Sequence, residues 1–582
     1  MVDVAGSIRP RERRASGWVA SVARWPSTPL GWRTTAILAA LLAAAMAASF
    51  WLYEGILENV IFTTSVTLAL GGLIALASRR ILFAALLMTA LVVIVNGVSE
   101  AKVNTMGMVL HAYDIVFYLS SWSTISYLWF ATPGYVAAFV ASIVLLLVLG
   151  VVSWRADGWP VRRLPVAAVT ALAIVTAGYT GLTKPDRRHT QFYWNALYVT
   201  SFYTSWAETL ETLWRGHIVE SARASNAPPF APAMRCDLDR KPPHIVLVHQ
   251  ESVVQPSLFP TLDYDRNLDK LFKSGDGRLH KMRVETYGGA SWLTEFSILT
   301  GLSTHSFGGM RPFVQSLLAG KVRDTLPETL ERCGYRNVLF YPMLRNFVSN
   351  ARFYDAIGLK EIFDLKAQKA KSEQERDRFY YTNALDEMER HVRTSQKPLF
   401  TYIQTMSVHW PYTWVFEPGV KVAGGGPGTD PEMSEYLRRV AMAKMDYQYL
   451  IAELKRRFPG ERIIVMHYGD HHPTATQPLL GQDADTQVED LKFDPKSAAF
   501  ITYFAVDGVN MTLRPLPDID VVDVPYLGAI LLDQAGLPMS EANRERLRLM
   551  RSCDGHYHGC ARRTEILSFH RRLIDSNIIT SR

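Results

Sequence analysis

Five long apolar runs crowd the first third of this chain and limit its possible folds more than any other feature. They cover residues 34–53, 60–77, 81–98, 134–152 and 164–182, and none has an Asp, Glu, Lys or Arg in its interior. Each is long enough to cross about 30 Å of hydrocarbon as a helix. A buried core helix would explain one such run, but not five in succession. A cleavable signal peptide is a poor reading of the first, because more spans follow closely and the basic lead is long. The expectation is a multi-pass membrane domain over 34–182. A wholly soluble enzyme is excluded, and so is a pure helical bundle, because residues 183–582 read as globular.

Charge supports the same division. The chain has 62 Lys and Arg against 55 Asp and Glu, a net charge of +7. Much of that excess is local. Arg9, Arg11, Arg13, Arg14, Arg24 and Arg33 precede the first run, Arg79 and Arg80 follow the second, and Arg155, Arg162 and Arg163 lie between the fourth and fifth. These are flanks of spans, so no nucleic-acid partner is expected. The positive-inside rule places all three clusters in the cytoplasm. An odd number of spans then puts everything after residue 182 outside. The expected organisation is a cytoplasmic N-terminus (1–33), five spans (34–182), an amphipathic connector and linker (183–235) and an extracytoplasmic domain (236–582). Aromatic residues between 113 and 129 and between 192 and 214 predict helices lying at the headgroup level, and the Pro-rich stretch 226–232 reads as a linker.

All four cysteines, Cys236, Cys333, Cys553 and Cys560, fall in the domain placed outside. An even count in an oxidising compartment predicts disulfides. Cys553 and Cys560 enclose a short loop and are the expected pair, and Cys236 with Cys333 follows by elimination. A zinc site built from Cys553, His556, His558 and Cys560 is the alternative.

From residue 242 onward, apolar strand-like runs at 244–249, 338–341, 399–406, 462–467 and 498–506 alternate with helical patterns near 325–333, 378–394 and 434–457. Such alternation predicts an α/β domain whose mostly parallel sheet is covered by helices on both faces. Active sites of such sheets gather at the carboxyl ends of strands. There the sequence places Glu251, a Gly-Gly-Ala turn leading into Ser291, His409, and the pair Asp470-His471. Two carboxylates and an imidazole suit a divalent cation, with zinc or manganese favoured over calcium by the nitrogen ligand and magnesium expected less. A serine at a helix N-terminus would be a fourth ligand and a nucleophile, in a place that also favours phosphate. His409 would bind a phosphoryl group or protonate a leaving alkoxide. Singly, each residue has a plainer reading: Glu251 or Ser291 as a helix cap, His409 as a packed turn residue, Asp470-His471 as a structural turn. Jointly, they form a chemical constellation.

The segments HIVLVHQES (244–252), GGASWLTEF (288–296), MSVHWPY (406–412) and HYGDHH (467–472) resemble the alkaline phosphatase superfamily. The nearest branch is the membrane-anchored group of lipoteichoic acid synthases, periplasmic-glucan phosphoglycerol transferases and lipid A phosphoethanolamine transferases. The resemblance implies Glu251, Ser291, Asp470 and His471 as metal ligands, Ser291 as a nucleophile that becomes phosphorylated, and His409 as a contact to substrate phosphate. Arg352, and His472 beside the metal pair, are weaker carry-overs to substrate binding; a second, labile metal is left open. Where that family commonly has threonine, this chain has Ser291, and its few cysteines lean toward the phosphoglycerol branch. A formylglycine sulfatase is not expected, because Ser291 is followed by Trp-Leu-Thr-Glu rather than x-Pro-x-Arg. The resemblance implies transfer of phosphoglycerol from phosphatidylglycerol to a periplasmic glycan or glycolipid, at a bacterial inner membrane. Alternatives are a phosphoethanolamine transferase, a phosphodiesterase or phosphatase, and a catalytically silent lipid-sensing regulator.

Overall fold

The computed structural model describes residues 29–580, apart from 56, 107, 119–128, 130–131, 159–160, 183–196, 216–217, 234–235, 239–240, 346, 348–349 and 481–496. The basic lead before residue 29, most of the predicted 113–129 helix and the start of the 192–214 segment lie outside the described residues. The chain divides into two compact units. One comprises Met1–Glu100, Gly134–Lys184 and Ala196–Thr200; the other comprises Ala101–Pro133, Pro185–Asn195 and Ser201–Arg582.

The first unit carries the five apolar helices: α1 (Trp32–Tyr53), α2 (Leu57–Ser78), α3 (Ile81–Met106), α4 (Pro133–Ala156) and α5 (Arg163–Leu182). Each contains an apolar stretch long enough to span a bilayer, 19 to 24 residues. Their apolar side chains stay largely exposed, as on Leu41, Leu147, Leu172 and Val175, which suits a hydrocarbon solvent rather than water. Polar groups meet at the helix ends. Glu54, wholly buried, accepts the backbone N–H groups of Val199 (2.8 Å) and Thr200 (3.0 Å). Those are orphan donors at the start of α6 (Tyr198–Arg215), so Glu54 acts as a cap from a distant part of the chain. α6 continues into the second unit and exposes Trp206, Leu210 and Trp214 at four-residue spacing, the stripe of an amphipathic helix.

The second unit is built on an eight-stranded sheet in the order β4-β3-β5-β1-β6-β7-β2-β8. Its strands are β1 (His244–Gln250), β2 (His280–Arg283), β3 (Arg336–Phe340), β4 (Glu361–Phe363), β5 (Leu399–Gln404), β6 (Ile463–Gly469), β7 (Ile501–Val509) and β8 (Val521–Asp523). The block β4-β3-β5-β1-β6 is parallel throughout, while β7 runs antiparallel to both β6 and β2. The sheet is therefore mostly parallel but mixed. Strands β2, β4 and β8 carry no apolar run in the sequence, and they pair near the edges of the sheet, where burial on both faces is not required.

Alternation along the central strands feeds two cores. Ile245 and Leu247 of β1 face a cluster with Phe400, Tyr402, Ile464 and Met466, while Val246 and Val248 face the other with Leu399, Ile403, Ile463 and Val465. The first face is covered by α7 (Ser291–Thr300), α8 (Val314–Leu318), α9 (Leu326–Arg332), α10 (Asn350–Ala356) and, after the sheet is complete, α13 (Leu527–Gln534), α14 (Glu541–Ser552) and α15 (Arg563–Asp575). The second is covered by α11 (Asp377–Thr394) and α12 (Pro431–Arg457). The Pro-rich stretch before β1 forms no helix or strand, yet Phe230 within it is buried, with its ring against Phe569 and the Arg572 guanidinium. Cys236 is bonded to Cys333, and Cys553 to Cys560. The zinc alternative therefore lacks its sulfur ligands, and His556 instead lies 3.1 Å from Arg283 Nη1.

Candidate active site

Three neighbouring parallel strands, β5, β1 and β6, end side by side, and each delivers residues where it stops. β1 leads into Glu251, β6 into Asp470 and His471, and β5 into the loop that reaches His409. The tight turn after β6 depends on Gly469. A Cβ there would lie 1.9 Å from the carbonyl oxygen of Val253, so only glycine lets the two strand ends approach closely enough to share ligands.

Ser291 arrives from another direction. Gly288, Gly289 and Ala290 all have positive φ, with Ala290 left-handed at 62°. Such a conformation in a non-glycine residue is strained and persists only where the surroundings impose it. Here the Thr286 hydroxyl donates to the Gly289 carbonyl (2.7 Å), and the Gly288 N–H donates to the His472 carbonyl (2.9 Å). Ser291 is thereby the first residue of α7, where free backbone N–H groups favour an anion. The Ser291 hydroxyl donates to Glu251 Oε2 at 2.8 Å and lies 3.3 Å from His471 Nε2.

The other contacts close a compact polar centre. His471 Nε2 is 3.2 Å from both Glu251 Oε1 and Asp470 Oδ2. His471 Nδ1 is 2.8 Å from the His472 carbonyl. A carbonyl only accepts, so Nδ1 carries a proton, and when the ring is neutral its lone pair sits on Nε2, facing the centre. Asp470 Oδ1 accepts the Ser252 N–H at 2.8 Å. Asp470 Oδ2 is buried and aligned for no hydrogen bond.

His249 belongs to the same centre, and the motif reading missed it. Its Nε2 is 3.1 Å from Asp470 Oδ2 and 3.5 Å from Glu251 Oε2, while Nδ1 is 3.1 Å from the Tyr468 hydroxyl. The available signal was its place two residues before Glu251, since strand alternation puts such residues on one side. Ligand atoms of His249, Glu251 and Asp470 all lie within 4.8 Å of one another, the one such group among the described residues.

The electrostatics follow from burial and crowding. Burial alone would raise the Glu251 carboxyl. Hydrogen bonding from His249 and the nearby charge of His471 reverse that and hold it well below the usual range. Burial opposes charge on both imidazoles, yet the Asp470 carboxylate outweighs it, pushing His249 up to about 10 and His471 up to about 9. Two crowded carboxylates thus draw positive charge into a buried site. A divalent cation fits the same place. The donor set is two carboxylates, imidazole nitrogen and a hydroxyl, and Asp470 Oδ2 faces both imidazoles without an aligned hydrogen bond.

The remaining predicted residues divide. His409 is half-buried on the loop after β5 and near enough to Glu251 for its charge to help lower that carboxyl. Its Nδ1 is 2.6 Å from the Trp410 carbonyl, which leaves Nε2 for a substrate. Arg352 is an exposed residue of α10. His472 does not face a substrate: it is fully buried, its Nε2 donates to the Ile501 carbonyl at 2.7 Å, and its ring stacks on Tyr287. The main-chain turn that aims His471 at the centre sends its neighbour into the core. His467 is buried with Nδ1 3.2 Å from the Tyr503 hydroxyl.

Residues 279–496 match the family described as Sulfatase. That span contains Ser291, His409, Asp470 and His471, while His249 and Glu251 precede it. An uncharacterized protein of Haemophilus influenzae is 22% identical over 327 residues, covering 52% of this chain and 55% of that one. The chain thus spans about half the length of this curated relative. Among solved structures, the Streptococcus pyogenes phosphoglycerol transferase GacH in complex with sn-glycerol-1-phosphate aligns with a TM-score of 0.45 at 16% identity, over 59% of this chain and 87% of that one. The Neisseria meningitidis lipooligosaccharide phosphoethanolamine transferase A, an integral membrane protein, aligns with a TM-score of 0.48 at 12% identity, over 86% of this chain and 97% of that one.

Proposed function

We propose, on the premise that this chain carries a sulfatase-family domain of the alkaline phosphatase superfamily, that it is a metal-dependent transferase of phospholipid head groups. In this reading phosphoglycerol passes from phosphatidylglycerol to a glycan or glycolipid hydroxyl, with the catalytic domain in the periplasm of a bacterial inner membrane. The observation that carries the reading is Ser291 Oγ, at the start of a helix, 2.8 Å from Glu251 Oε2 and 3.3 Å from His471 Nε2, in a centre where two buried carboxylates meet. A hydroxyl so placed is a nucleophile in waiting. The sequence after Ser291 lacks the x-Pro-x-Arg that formylglycine chemistry requires, which favours phosphate over sulfate esters.

In the first step Ser291 Oγ, its hydroxyl proton given up to water, forms a bond to phosphorus. The bond from phosphorus to the diacylglycerol oxygen breaks, and His409 Nε2 supplies the proton for that oxygen. The N–H groups at the start of α7 face the phosphoryl charge. In the second step an acceptor hydroxyl attacks phosphorus, its proton returns to His409, the bond from phosphorus to Ser291 Oγ breaks, and that oxygen takes its proton back from water. Glu251, Asp470, His471 and His249 would hold a divalent cation, zinc or manganese, whose charge would lower the pKa of the Ser291 hydroxyl and offset the anionic substrate.

The test uses the full chain in detergent with manganese or zinc and fluorescent phosphatidylglycerol or phosphatidylethanolamine, with products separated by thin-layer chromatography. Labelled diacylglycerol that disappears with chelator is the expected result, and the lipid consumed identifies the head group. Free glycerol phosphate formed without any acceptor would turn the reading to a phosphodiesterase. No release from either lipid, with metal bound, would overturn it in favour of another donor or a silent regulator.

A further inference from the structure

Of the residues that follow His409 on its loop, only Tyr412 and Phe416 are buried. Trp410, Thr413, Trp414 and Val415 are exposed, and Trp410, Trp414 and Val415 are the only large exposed apolar side chains among the described residues after 215. Burial of Tyr412 and Phe416 fixes part of this loop, and hydrophobic burial contributes little at the exposed residues around them. A buried cation gathers the main chain between His409 and Trp414, while Arg438 Nη1 holds the Phe416 carbonyl (2.7 Å). Arg439, on α12, is wholly buried. Its Nη1 donates to the His409 carbonyl (2.8 Å), and its Nη2 donates to the carbonyls of Pro411 (2.9 Å) and Trp414 (3.0 Å). Its Nε donates to Glu435 Oε1 at 2.8 Å, and Glu435 accepts the Phe416 N–H at 2.8 Å. The guanidinium also lies about 5 Å from the ring centres of Tyr412, Trp414 and Phe416. One planar fork thus gathers three carbonyls, a carboxylate and three rings, and lysine has no such geometry. The His409 carbonyl has a second, outer anchor in Gln374 Nε2 at 2.9 Å.

We propose that Arg439 is a positioning residue: by clamping the His409–Phe416 loop from beneath, it fixes where His409 presents Nε2 to the substrate phosphate. This rests on the role given to His409 above. Arg439 touches no substrate, and Glu435 neutralises it, so its effect runs through the geometry of His409. A displacement of about 1 Å in a reacting group lowers rates on the order of 10²-fold.

The test is a double-mutant cycle in the full-length protein, with kcat, KM, metal content and melting temperature measured for each variant. Arg439→Lys keeps the buried charge and is expected to lower kcat on the order of 10²-fold, with KM and bound metal near wild type. Arg439→Lys added to His409→Ala is expected to lower kcat no further. A role only in folding would instead lower metal content and stability, and its effect would add fully to that of His409→Ala; either result overturns the proposal. Gln374→Ala removes the outer anchor at less risk to folding. It is expected to lower kcat by about 3- to 10-fold, again without addition to His409→Ala, and full additivity there overturns the proposal as well. An inert His409→Ala overturns it too, while head-group release by the wild-type protein is read separately and stands or falls by itself.

Discussion

Helix α7 has a buried carboxylate near each end, and the two are built in opposite ways. At its C-terminal end Glu285 accepts hydrogen bonds from Ser303 Oγ (2.5 Å), Thr304 N (2.7 Å), Thr304 Oγ1 (2.5 Å) and Ser297 Oγ (3.3 Å). Neutral donors crowd both oxygens and satisfy it fully. At the N-terminal end Glu251 and Asp470 meet two imidazoles and a serine hydroxyl, and Asp470 Oδ2, 3.1 Å and 3.2 Å from those imidazoles, makes no aligned hydrogen bond. The first arrangement is complete as it stands and ties the helix to the loop that follows it. The second concentrates two carboxylates in a buried place that draws in positive charge and that a divalent cation would match. A buried acid is thus a poor sign of function by itself; what surrounds its oxygens separates a brace from a site.

The comparison can be broken most sharply at Ser291. Ser291→Ala is expected to lower head-group release on the order of 10³-fold or more while the protein stays folded and retains most of its metal. Full activity in that variant would end the covalent mechanism. The two carboxylates should then part company. Asp470→Asn is expected to weaken manganese or zinc binding at least about 100-fold by calorimetry with little loss of melting temperature. Glu285→Gln is expected to leave metal binding intact and destabilise the fold by about 2–4 kcal/mol, since an amide brings a donor to a pocket of donors. A swap of those outcomes would invert the assignment of brace and site. His249→Gln is a milder test of the same centre: metal affinity should fall about 10- to 100-fold, the range for a partner that supports a metal site. Unchanged affinity would make His249 a bystander.

The smallest effect concerns Asp377, at the foot of the His409 loop, whose Oδ1 accepts the Ser407 N–H at 3.1 Å. Burial, with help from the Asp446 charge, raises its carboxyl from 3.8 to about 7. The folded state therefore keeps a proton that the unfolded chain has already lost between those pH values. Stability should fall as pH rises through that window and level off above it. Asp377→Asn should be more stable than wild type at pH 8, with the gap shrinking by about 1–3 kcal/mol at pH 5 in denaturant titrations. A gap independent of pH would remove Asp377 as the cause.

The fold and the site were legible to different depths. The five spans were clear because twenty apolar residues without charge have few other stable uses. Strands β1, β5 and β6 were clear because a strand buried on both faces is written as a continuous apolar run. The edge strands were invisible because pairing rather than composition makes them strands. Ser291, Glu251, Asp470 and His471 were found from motif segments at strand ends, and the structure brings all four together. His472 was misread because adjacent residues in a turn diverge, and a sequence does not say which of two histidines faces inward. His249 was missed because it lies inside an apolar strand, where a core histidine is the ordinary reading.

The residue types needed for the chemistry, and the membrane half beside them, were set by local composition and spacing, which one dimension records. The orphan Asp470 oxygen, the inclusion of His249, the retreat of His472 and the grip of Arg439 on the His409 loop were decided only by the tertiary structure. Each depends on groups 29 to 221 residues apart reaching hydrogen-bonding range, and only the packing of the sheet against its helices brings such groups together.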